Sequence, residues 1–90
     1  MCRNIKPLFN FEPPARPNEI HDAALQFVRK ISGYHTPSKA NEAAFHQAIE
    51  DIERSLGKLL ASLETNAPPK DREIVAAKAK VRAQDRYKLA

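Results

Sequence analysis

Between positions 45 and 63 the large apolar residues fall at Phe45, Ile49, Ile52, Leu56, Leu59 and Leu63, in steps of four, three, four, three and four. An α-helix turns once in about 3.6 residues, so this alternation lays all six along one edge, the pattern of a helix packed lengthwise on another helix. Ala48 and Leu60 widen the stripe. Gly57 interrupts it at a cost of about 1 kcal/mol relative to alanine, which a close helix crossing would explain. Ser38 follows Pro37 and makes a good N-cap, so helix two is predicted over residues 38–64. Truncating Leu56 to alanine, in the middle of the seam, is expected to cost about 2–5 kcal/mol.

A seam of that length needs cover. Ile20, Ala23, Ala24, Phe27, Val28 and Ile31 follow helical spacing, with Pro17 suited to the first turn and Gly33 to the stop, so helix one is predicted over residues 17–32. The stretch Tyr34–Lys39 is a loop. Asp71 and Glu73 favour the first turn of helix three, predicted over residues 70–88, where alanine, lysine and arginine hold a helix by propensity and the apolar face is thin. The first sixteen residues have no helical period, and Pro13 and Pro14 force an extended path. Leu8, Phe9 and Phe11 in that arm are expected to lie over the helices as a lid. The fold class expected is all-α: one domain over residues 1–90, a bundle of three helices made of an antiparallel hairpin and a basic C-terminal helix, with an extended N-terminal arm.

The net charge of +4 is unevenly placed. Residues 65–90 carry seven cations and three anions, an excess equal to that of the whole chain. Such asymmetry bears on partners and says nothing of fold. A single cysteine excludes an internal disulfide and suits a reducing compartment. No apolar run of about 18 residues spans a membrane, and no basic-then-apolar leader precedes Cys2, so the location expected is cytoplasmic and no membrane partner is expected.

Read together, MCRNIK, LFNFEPPA, ALQFVRK, SKANEAAF and APPKDRE closely resemble a family of short bacterial proteins, Domain of Unknown Function family 2277. The resemblance covers nearly the whole chain and implies a small all-helical protein; it brings no activity and no catalytic residues. The chain departs from the family's usual threonine-capped start of helix one, reading Arg16-Pro17-Asn18.

Three surfaces are candidates for function. Removal of the initiator methionine would leave Cys2 with a free amine beside its thiol, and Arg3 and Lys6 would lower the thiol pKa if close in space. Packing as a small, weakly polar residue is the plainer role, and Cys2 is a weak candidate for catalysis. His21, His35 and His46 with Cys2 are weak candidates for a metal site, since no two share a local ligand spacing. No cofactor is expected, and Glu50, Asp51 and Glu53 read as the wet side of helix two. The third surface is the basic stretch, with Lys78, Lys80, Arg82, Arg86, Tyr87 and Lys88 as candidate nucleic-acid or partner contacts. Phosphates reward such a stripe by counterion release, yet charge runs on helices are usually solvated faces. The function expected first is therefore a protein-interaction or self-association module. Nucleic-acid or ribosome-surface binding through the terminal helix comes second, and thiol- or metal-dependent chemistry at Cys2 third. An enzyme is the less favoured class.

Overall fold

The computed structural model describes the backbone of residues 3–89 and the side chains of residues 3–85. Three helices dominate it. The first, α1, is Pro17–Ser32 and begins on a reciprocal cap: the Arg16 N–H donates to Glu19 Oε1 at 3.0 Å, and the Glu19 N–H donates to the Arg16 carbonyl at 3.0 Å. A hydroxyl at the cap position is thus not needed, because the acidic residue one turn in satisfies the cap. Gly33 ends the helix at φ +79°, where only glycine is unstrained, and its N–H closes on the Arg29 carbonyl at 2.9 Å.

The second helix corrects the expected bounds of 38–64. Ser38 opens a 3₁₀ turn, Lys39–Asn41, and the α-helix proper, α2, is Glu42–Ser62. The Ser38 carbonyl accepts the Asn41 N–H at 2.9 Å and its hydroxyl accepts the Asn41 side-chain amide at 2.8 Å. Those two bonds close a three-residue turn, so the serine stands at the N-cap position of the 3₁₀ start rather than of the α-helix, and its hydroxyl bonds the Asn41 side chain instead of a backbone N–H. At the far end Leu63 is already extended, with ψ 138°.

The two helices form an antiparallel hairpin. Its core is small and sits toward the loop end: Ala24 and Val28 of α1 meet Phe45 and Ile49 of α2, with Leu25, Ala48 and Ile52 packed around them. The seam therefore buries only its first half. Phe45 and Ile49 are 7% and 4% exposed and Ile52 and Leu56 half-buried, but Leu59 is 51% exposed and Leu63 43%. An ideal helix drifts about 20° per heptad from a 3.5-residue repeat, so the covered strip moves sideways along α2. It ends on Gly57 and Leu60, both partly covered, where the arm lies alongside. Gly57 marks no helix crossing: a Cβ built there meets nothing within 4 Å. Ile31, the last residue of the α1 stripe, is 74% exposed.

The arm is more than an extended lid. Leu8, Phe9 and Phe11 are each partly covered, and Phe11–Glu12 forms a short strand, β1. It pairs in parallel with a second, β2, at Lys70–Asp71, in the register Phe11 with Lys70 and Glu12 with Asp71. The third helix, α3, is thereby Arg72–Leu89 rather than 70–88. Asp71 stands before the first turn instead of in it, and its Oδ1 accepts the N–H groups of Glu73 at 2.8 Å and Ile74 at 3.1 Å, an N-cap that leaves Lys70 and Asp71 free to pair.

Over its described side chains, residues 72–85, α3 has both sides largely in solvent: Ile74, Val75 and Val81 are 55%, 36% and 53% exposed. The molecule is a slab of 44 × 39 × 15 Å with a radius of gyration of 16.0 Å. A compact chain of this length has about 12 Å. Among the described residues no helix is long and apolar enough to cross a membrane.

Candidate functional site

The polar chemistry converges where the arm, the start of α1 and the start of α3 meet. Asn10 begins it. Its backbone adopts φ +62°, a left-handed conformation asparagine tolerates, which turns its carbonyl onto the Lys70 N–H at 2.8 Å. Its side-chain amide donates to the carbonyls of Ala67 and Pro68 at 3.3 and 3.2 Å. One asparagine thus holds the segment before α3 against the arm at three points.

Arg72 completes the junction. Its Nε donates to the Pro13 carbonyl at 2.5 Å, and its two terminal nitrogens donate to the two carboxylate oxygens of Glu19 at 2.9 and 2.7 Å. This forked pairing matches guanidinium to carboxylate geometry and ties three segments through one side chain. The Arg72 and Glu19 side chains are only 28% and 16% exposed, so water screens the pair less than a surface contact. The Glu19 carboxyl is held at about 2, below its ordinary 4.5, first by the Arg72 hydrogen bonds and then by the Arg16 N–H. Burial opposes the shift, and the charges of Arg72 and Lys6 add to it. The same partner raises the Arg72 pKa. Phe11 lies beneath two cations, with Lys70 Nζ 4.6 Å and the Arg72 guanidinium carbon 5.6 Å from its ring centre.

Beside this clasp lies a cleft of about 590 Å³ between the arm and α3, with Leu8 and Phe11 on one wall and Val75, Ala76 and Ala79 on the other. Among the described residues, Lys6, Lys70, Arg72 and Arg82 border it and Glu19 is its one anion. A second hollow, about 350 Å³, lies between the arm and the hairpin and is bounded by Ile5, Leu8, Phe27, Ile52, Leu56 and Leu60, with Lys6 at its edge.

The expected site residues are distributed differently. Lys78, Lys80 and Arg82 are exposed on α3, but only Arg82 reaches the cleft. At 100° per residue Lys78 and Lys80 project about 200° apart, so they form no single stripe. The side chains of Arg86, Tyr87 and Lys88, and Cys2 altogether, lie outside the described residues. The histidines do not converge. His21 Nδ1 contacts Glu53 Oε1 across the hairpin, the His35 carbonyl accepts Arg29 Nε at 2.9 Å, and His46 stands edge-on to Phe45 at 5.8 Å. Among the described residues no three His, Cys, Asp or Glu side chains gather as metal ligands. Glu53 is accordingly not just a wet residue of α2. Lys6, Phe11, Glu19 and Lys70 were invisible as a group in the sequence, because long-range contacts, the pairing of β1 with β2 and the Arg72 fork among them, bring them together.

Fold and site define a class: a helical hairpin whose N-terminal arm is clasped to a third, splayed helix. Within that class, a family model described as uncharacterized conserved protein (DUF2277) matches residues 1–78, and the chain belongs to this family. The match takes in the arm, the hairpin and the clasp. No curated protein and no solved structure matches the chain.

Proposed function

We propose that this protein is an interaction module whose working form is a self-associated pair, each copy seating its third helix on the hairpin of the other. The observation that carries this is a complementarity within one chain. The hollow floored by Phe27, Ile52, Leu56 and Leu60 is apolar and open. On α3, Ile74, Ala77 and Val81 share a face at helical spacing and are exposed. That face points away from Val75, Ala79 and Arg82, which line the cleft. An uncovered ridge and an unfilled hollow on the same molecule are what a two-fold exchange between identical copies requires. The thinness of the slab supports it further, since the core of one copy leaves Phe27 47% exposed. A reducing compartment, the bacterial cytoplasm, suits the single thiol.

Light scattering at micromolar concentration tests the reading. A dimer is expected for the native chain, with Val81→Glu and Phe27→Glu each giving monomers of unchanged helical content. A native chain that stays monomeric at high micromolar concentration, or variants that pair as before, would overturn it.

One observation favours a second reading, nucleic-acid binding: Lys78, Lys80 and Arg82 all stand in solvent on a splayed helix. Binding of a mixed-sequence duplex or RNA hairpin that falls steeply across a salt series would support it. Cys2 enters neither reading.

A further inference from the structure

We propose that the cleft between the N-terminal arm and α3 is a binding site for a small anionic amphiphile, a phosphate or carboxylate head on a short apolar body. The argument begins with charge. Among the described residues four cations border the cleft, and the one carboxylate there, Glu19, already has both oxygens on Arg72. Among the described residues, Lys6, Lys70 and Arg82 have no carboxylate at ion-pair distance. Three cations facing one concavity repel one another, and an anion placed among them removes that repulsion while gaining charge-assisted hydrogen bonds.

The walls set the rest of the ligand. Leu8, Phe11 and Val75 offer apolar surface, while Ala76 and Ala79 are the small residues that leave the space open. A volume of about 590 Å³ falls within the range of roughly 300–1,000 Å³ typical of small-molecule sites. The clasp supplies rigidity, since Arg72 is held at three points and cannot swing away from the rim. An extended polyanion fits less well: the phosphate track it needs would continue along α3, whereas Lys78 and Lys80 diverge to different sides of that helix.

Calorimetric titration of the full chain tests the site with four probes: octyl phosphate, octanoate, octanol and inorganic phosphate. Octyl phosphate or octanoate is expected to bind at least about tenfold more tightly than either octanol or inorganic phosphate, because only the first two engage both wall and rim. Two variants localise the binding. Lys6→Gln with Arg82→Gln should weaken it about tenfold, and Ala79→Leu, which fills the cleft without touching a cation, should block it; circular dichroism should show both folded. Phosphatidylglycerol vesicles form a further arm. The proposal is overturned if octanol binds as well as octyl phosphate, if Ala79→Leu leaves binding unchanged, or if vesicles bind while the monomeric amphiphiles do not. Pairing of copies uses the opposite face of α3, so Val81→Glu should retain the binding; loss of pairing and loss of ligand are read separately.

Discussion

Glu19 does two jobs at once. It caps α1 through the Arg16 N–H and receives the fork of Arg72 from a residue 53 positions away. A carboxylate made more acidic by folding contributes its full stabilisation above its unfolded pKa and loses it as pH falls toward the folded one. Here that window runs from 4.5 down to about 2. Acid titration of the native chain should therefore show the clasp loosening below pH 4.5, while Glu19→Gln should flatten that part of the curve and cost about 1–2 kcal/mol at neutral pH, read by denaturant unfolding. Gly57 makes the opposite case. It sits inside α2 with open space where a Cβ would go, so Gly57→Ala should raise stability by about 1 kcal/mol in a thermal melt. A melt that falls instead would mean that something crosses there after all.

At the scale of the elements, helical period was a good guide to what is local. The apolar spacing of residues 20–31 and the pair Pro17 and Gly33 carry all the information α1 needs, because its cap, first turn and stop are made by residues within one turn of each end. The arm's pairing was not legible in the same way. Nothing in FEPP or PPKD marks a strand, since two residues are too few for an alternating pattern and the partner strand lies across the whole hairpin. Lys70 and Asp71 look like an N-terminal helical turn until β1 claims their backbone. The seam was legible in kind and misleading in extent: a heptad stripe says which edge is covered, and the length of the covering element decides how far. Truncations should reflect that. Ile49→Ala, at a fully packed position, should cost about 2–5 kcal/mol in denaturant unfolding. Leu56→Ala, half-buried at the edge of the hollow, should cost about 1–2 kcal/mol instead, a reduction from what the stripe alone implies.

The whole molecule is broad and thin. A slab 15 Å deep is little more than one layer of helices, and a single layer cannot enclose apolar side chains on both faces. Among the described residues five are buried, two of them alanines, and they make a slender core. If copies pair as proposed, the missing layer comes from the partner, and the melting temperature should climb as protein concentration is raised over two decades. An unchanging melt would leave the slab stable by itself and remove the reason for pairing.

The parallel bridge of β1 and β2, fastened by Arg72 to Pro13, joins residues 59 positions apart and encloses the entire hairpin. Closing so long a span costs chain entropy that its few bonds do not recover until the helices between have already shortened the distance. The order expected from this is that the hairpin assembles first, with the clasp the last contact to form and the first to open. Disrupting it should therefore quicken unfolding in stopped-flow traces and leave the refolding rate nearly untouched.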